Sequence, residues 1–148
     1  MATVKNLLKI KGTQVWSVPV TATVRETLKL MAEKNIGAVL VMEGEKIAGI
    51  FSERDYARYA AQRESLLLDE PVSEFMTRAV YYVSPQQTVE ECMALMTSKH
   101  IRHLPVLDED HNLVGLISIG DVVKQVLEEK ESTIQGLENY ILGRGYSG

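Results

Sequence analysis

Two seven-residue phrases of the chain each place an aspartate three residues after a serine: Gly49-Ile-Phe-Ser52-Glu-Arg-Asp55 and Gly115-Leu-Ile-Ser118-Ile-Gly-Asp121. In both, an apolar run precedes the serine, so the serine ends a strand and caps the helix that follows. A hydroxyl at a helix N-cap lies beside backbone N–H groups that lack intrahelical partners, at the positive end of the helix dipole, and this is an anion site. A carboxylate one turn further in offers two acceptor oxygens, spaced to receive the 2′- and 3′-hydroxyls of a ribose. The same spacing is also a near-relative of the capping box, which stabilises a helix start by about 0.5–2 kcal/mol with no ligand at all. The two readings are compatible.

Other chemistries find little support. No Gly-x-Ser-x-Gly elbow, Walker loop or G-x-G-x-x-G turn occurs, so catalysis has no candidate residues. His100, His103, His111 and Cys92 do not fall into a compact metal-ligand spacing, and no metal site is expected. Cys92 falls on a mostly packed helix and reads as a buried thiol; as the single cysteine it excludes an intrachain disulfide. The net charge of −4 argues against broad attraction to nucleic acid or anionic lipid. No apolar run reaches the roughly 18–20 residues of a membrane span. The opening residues lack the apolar stretch of a secretory signal, and a cytoplasmic protein is expected.

The elements that must position the two phrases are themselves repeated. Thr23-Val24 recurs as Thr88-Val89, and at the same offset Val15, Val18, Glu26, Leu30, Met31, Lys34, Ile36 and Val41 recur as Val80, Val83, Glu91, Leu95, Met96, Lys99, Ile101 and Val106. One inserted residue, where Glu-Gly-Glu-Lys faces Asp-Glu-Asp-His-Asn, then brings Gly49, Ser52 and Asp55 into line with Gly115, Ser118 and Asp121. Such an insertion suits a hairpin turn. Each copy predicts β-α-β-β-α. Thr-Val-Arg-Glu and Thr-Val-Glu-Glu are capping boxes, and the helices behind them carry apolar stripes at Val24-Leu28-Met31 and Val89-Met93-Met96. Two short apolar runs joined by a turn then form a hairpin. One copy cannot bury both faces of its sheet, so an α/β fold of two copies packed about a pseudo-twofold axis is expected. A short amphipathic helix is expected before Lys11, and the repeats occupy residues 10–70 and 73–131. A helical tail spans 132–148, with a capping box from Ser132 to Gln135, apolar Ile134, Leu137 and Ile141, and a stop at Gly143.

The tandem TVRETLKLMAEKNIGAVLVM…AGIFSERD and TVEECMALMTSKHIRHLPVLD…VGLISIGD resembles cystathionine-β-synthase (CBS) domains, and a pair of them resembles a Bateman module. The linking VSEFMT is similar to the lead-in such domains carry. The resemblance implies adenosine ligands in the cleft between repeats (AMP, ADP, ATP, NAD(H) or S-adenosylmethionine), commonly a homodimer, and regulation of a partner. With no effector domain fused to the pair, that partner would be a separate protein. By matching position, Asp55 and Asp121 are the ribose ligands, and Ser52 and Ser118 the phosphate ligands.

The copies differ in their cations. Copy one has Arg54 inside the phrase and Arg58 one turn on, where copy two has Gly120 and Lys124; copy two has Arg102 and His103 where copy one has Gly37 and Ala38. Arginine suits phosphate because its planar fork binds bidentately. Arg54, Arg102 and His103 are the expected phosphate clamp, with Arg58 a further candidate. Val18 and Val83 begin segments that resemble the family's base-binding strand, and Ile50 and Leu116 would form the other wall; each also reads as plain core. Two ribose sites around few cations suit two mononucleotides or one dinucleotide better than a triphosphate, so AMP or NAD(H) is expected. The competing expectation is a ligand-free homodimeric scaffold that docks a partner through its tail.

Overall fold

The computed structural model describes residues 2–129; the predicted tail helix around Leu137 and Ile141 lies outside them. Helix α1 (Val4–Lys11) starts at a reciprocal capping box between Thr3 and Asn6 and stops at Gly12, whose φ of 101° breaks the helical path. Repeat one follows as β1 (Ser17–Pro19), α2 (Val24–Lys34), β2 (Ala38–Glu43), β3 (Lys46–Ser52) and α3 (Glu53–Arg63). A 3₁₀ turn at Val72–Glu74 leads into α4 (Val89–Lys99), β4 (His103–Leu107), β5 (Leu113–Ser118) and α5 (Ile119–Glu129). Helices α2 and α4 end on left-handed residues, Asn35 and His100, which release the chain into the next strand.

The described residues form two compact units, and each borrows a piece from outside its own repeat. The repeat-one unit holds residues 14–81; the repeat-two unit holds residues 82–129 together with residues 2–13. The lead-in that precedes repeat one in sequence thus folds with repeat two, and the lead-in of repeat two folds with repeat one. Both exchanges use the same backbone pairing. Val89 N–H donates to Ala2 O (3.0 Å) and Val4 N–H to Gln87 O (2.8 Å); correspondingly, Val24 N–H donates to Glu70 O (2.9 Å) and Val72 N–H to Ala22 O (2.8 Å). Val4, Leu7 and Leu8 fill one core, and Val72, Phe75 and Met76 fill the other. Each core is closed by strand residues such as Leu104 and Ile117, or Val39 and Phe51, which have no exposed surface. Burying a side chain of that size contributes roughly 1.5–3 kcal/mol.

The sheets differ by one strand. Repeat one has a three-stranded sheet in the order β1-β2-β3, with β1 parallel to β2; repeat two has only the β4–β5 hairpin. The predicted first strand of repeat two shrinks to one parallel bridge, Val83 to Val106, held by Val83 N–H to Pro105 O (3.0 Å) and Leu107 N–H to Val83 O (2.9 Å). Two prolines account for this. In repeat one the ladder is extended by Leu40 N–H to Trp16 O and Val20 N–H to Met42 O. Pro105 and Pro85 stand at the positions of Leu40 and Val20, and neither has an N–H to donate. A smaller departure concerns the helix starts: Thr88 and Glu91 complete a capping box, whereas Glu26 accepts from the hydroxyl of Thr23 and leaves the box half made.

Candidate ligand site

Both serine–aspartate phrases fold into the same corner. Ser52 and Ser118 are the last residues of β3 and β5. In repeat one, Asp55 N–H donates to Ser52 Oγ (3.1 Å) and Ser52 N–H donates to Asp55 Oδ2 (3.3 Å). In repeat two the corresponding distances are 3.1 Å and 2.8 Å. Each corner is therefore a complete capping box. The first N–H of each helix is also used: Glu53 donates to Gly37 O (3.0 Å) and Ile119 to Arg102 O (2.8 Å). Among the described residues, the first-turn donors left without a partner are the N–H groups of Arg54 and Gly120. The anion capacity of each corner thus rests on one N–H, one hydroxyl and the side chains around it.

Those surroundings are unlike. The repeat-two corner holds a residue that sequence reasoning missed. Lys11, at the end of α1, donates through Nζ to Asp121 Oδ2 (2.5 Å) and to Leu116 O (2.6 Å). The ion-paired side chains retain 34% and 25% exposure, so the ammonium is within reach of water. Burial pushes the Asp121 carboxyl up, but the bonds from Lys11 and Ser118 outweigh it and hold the group below its ordinary value. His103 lies across the hairpin from Ser118. Burial, then the charge of Lys11, holds its imidazole below the usual histidine range against the opposing pull of Asp121. The sequence signal for Lys11 was a cation in the last helical turn before a glycine, which the helix dipole favours; which carboxylate it meets depends on the exchange of lead-ins.

Among the described residues, no cation pairs with the repeat-one corner in this way. The carbonyl of Ile50, equivalent to that of Leu116, accepts instead from the backbone N–H of Thr77 (2.8 Å). Asp55 has no ion-pair partner among the described residues, and Ala38 stands across from Ser52. Arg54 and Arg58 are exposed on α3 of this unit, while Arg102 is exposed and His103 half-buried in the other. Arg54 and the Arg102–His103 pair thus belong to different units. Val18 and Val83 are buried in the two cores, and Val83 spends both its backbone groups on the bridge to β4. Ile50 and Leu116 are half-buried. A pocket of about 290 Å³ in the repeat-one unit, lined by Leu28, Met31, Asn35, Ile36, Gly37 and Glu53, opens on the α2 side and includes neither Ser52 nor Asp55.

Among the described residues no group of three or more His, Cys, Asp or Glu side chains is arranged to hold a metal. Cys92 is buried, and desolvation pushes its thiol up to about 11. No helix of the described residues is long and apolar enough to cross a membrane.

The duplicated corner on a duplicated α/β unit agrees with the family model for the CBS domain, which matches residues 5–62 and again 72–128. The chain belongs to the CBS-domain family. It is a tandem CBS pair, similar over nearly its whole length to other small CBS proteins. A CBS-domain protein of Burkholderia ambifaria, ascribed to signal transduction, is 48% identical with a TM-score of 0.83; the match covers 90% of this chain and 99% of that one. The mitochondrial CBS domain-containing protein CBSX3 of Arabidopsis thaliana is 36% identical over 97% of this chain and 73% of its own length. CBSX2, solved in complex with AMP, shares the fold with a TM-score of 0.67 at 23% identity, covering 88% of this chain and all of that one. Stand-alone CBS pairs are in general regulatory proteins rather than enzymes.

Proposed function

We propose that this CBS pair is a regulatory module that binds an adenine nucleotide, AMP or NAD(H), at its serine–aspartate corners. It acts as a homodimer, in trans, on a separate effector protein in the cytoplasm. The observation that carries the reading is the duplication of the corner down to its hydrogen bonds. A capping box alone needs an acceptor three residues after the serine, and Glu or Gln would also serve; a short carboxylate at both equivalent positions fits a diol. Asp55 and Asp121 take the ribose hydroxyls. Ser52 and Ser118, with the Arg54 and Gly120 N–H groups, meet phosphate, assisted by Arg54, Arg58, Arg102 and His103. Ile50, Leu116 and the backbone beside Val18 and Val83 face the base. The AMP complex of CBSX2 is consistent with this ligand class.

A thermal shift series on the full chain tests the reading. AMP or NAD(H) at a hundred times its dissociation constant should stabilise the fold by about 2.7 kcal/mol. The second reading, a ligand-free scaffold, is favoured by the completeness of both capping boxes, which explains the corners without a ligand. A flat response to AMP, ADP, ATP, NAD(H) and S-adenosylmethionine would establish it and discard the sensor.

A further inference from the structure

We propose that Lys11 is a specificity-determining residue of the repeat-two corner: it admits adenosine compounds that carry a phosphate and resists neutral adenosine. The inference rests on the nucleotide-binding reading above. A ribose diol held in bidentate fashion by a carboxylate donates one hydroxyl to each oxygen. Asp121 Oδ2 already receives the Ser118 N–H and the Lys11 ammonium, so its two lone pairs are occupied. One donor must leave. The Ser118 N–H is fixed by the strand end and the cap, whereas the lysine side chain is long, flexible and about one-third exposed. Lys11 is the group that moves.

Its movement has a direction set by the fold. The last turns of α1 are pinned where Leu8 packs on Gly115, so closely that a Cβ there would lie 2.7 Å from the leucine. The helix then ends at Gly12. The released ammonium therefore stays within a side chain's reach of Asp121, close to His103. A neutral nucleoside displaces it and returns no anion, leaving the ammonium only the Leu116 carbonyl and water. A nucleotide displaces it and supplies an anion for it. The repeat-one corner, with Thr77 N–H in place of the lysine, imposes no such condition.

The test is a calorimetric titration of AMP and of adenosine into the full-length Asp55→Ala variant, which leaves the repeat-two corner to be read, with and without Lys11→Met. With Lys11 present, AMP should bind at least about tenfold more tightly than adenosine; Lys11→Met should tighten adenosine, weaken AMP and lower that ratio by about tenfold. Lys11→Arg, which keeps the charge, should preserve the ratio and serves as the folded control. An unchanged ratio in Lys11→Met, or equal weakening of both ligands, overturns the inference and leaves the nucleotide-binding reading standing. Binding by the unmodified protein that vanishes in Asp55→Ala alone also overturns it, by confining the ligand to repeat one. If neither ligand binds the unmodified protein, both fall.

Discussion

The two corners solve the same problem with different groups. At the end of β3 the Ile50 carbonyl is satisfied by the backbone N–H of Thr77; at the end of β5 the Leu116 carbonyl is satisfied by the ammonium of Lys11. The difference begins in the lead-ins. One is a three-residue 3₁₀ turn that straightens early enough for Thr77 to bridge to Ile50. The other is an eight-residue α-helix, which carries its lysine past the same carbonyl and onto Asp121. A neutral donor serves the carbonyl alone. A charged side chain also reaches the carboxylate and alters the electrostatics of His103. Duplicated backbone geometry is thus compatible with unequal binding chemistry.

The largest expected contrast lies beneath the corners. A Cβ at Gly49 would meet the Thr77 carbonyl and Met76 Sδ at 2.7 Å, whereas one at Gly115 would meet only the tip of Leu8. A leucine rotamer can yield and a backbone carbonyl cannot. Gly49→Ala should therefore cost about 3 kcal/mol and Gly115→Ala about 1 kcal/mol in urea denaturation. Equal costs would mean that the lead-ins are held alike.

Next comes removal of each aspartate. Both Asp→Ala changes lose the carboxylate's half of the capping box, about 1 kcal/mol each. Asp121→Ala should cost more, because it also removes the ion pair with Lys11. A double-mutant cycle should give a Lys11–Asp121 coupling of about 0.2–1 kcal/mol, at the exposed-pair level, while the Lys11–Asp55 cycle gives none.

Smaller effects follow from titration. His103 has its pKa lowered in the fold, so below about pH 6.5 the unfolded chain takes up a proton that the native state refuses. Stability should fall as the pH drops from 7 towards 5, and His103→Gln should flatten that slope. The Asp121 contribution, from a lowered carboxylate, is full above about pH 4 and is lost only in stronger acid. Least of all, Cys92 should react with a thiol reagent only as fast as the repeat-two unit opens; rapid labelling of the native protein would contradict its burial.

What the sequence made legible was local. The helix starts at Thr23, Thr88, Ser52 and Ser118 follow from side chains that meet backbone three residues away, and the repeat follows from matched spacing. The exchange of lead-ins was not legible, because pairings such as Val4 with Gln87 join residues far apart through backbone atoms that carry no residue signature. Lys11 was hidden for the same reason. The loss of a strand in repeat two was written in Pro85 and Pro105, but only alignment with the ladder of repeat one shows which two hydrogen bonds they remove. Among the site candidates, Ser52, Asp55, Ser118 and Asp121 fall into paired corners, whereas Val18 and Val83 turn inward to the cores.

The most direct test of the central claim is a calorimetric titration of AMP into the full chain with both aspartates intact and with both replaced by alanine. Each lost charge-assisted hydrogen bond is worth about 1.5–3 kcal/mol, so the double variant should bind AMP at least about a hundredfold more weakly while both its units remain folded. Undiminished affinity in a folded Asp55→Ala/Asp121→Ala protein would show that the corners are helix caps and that the nucleotide binds elsewhere.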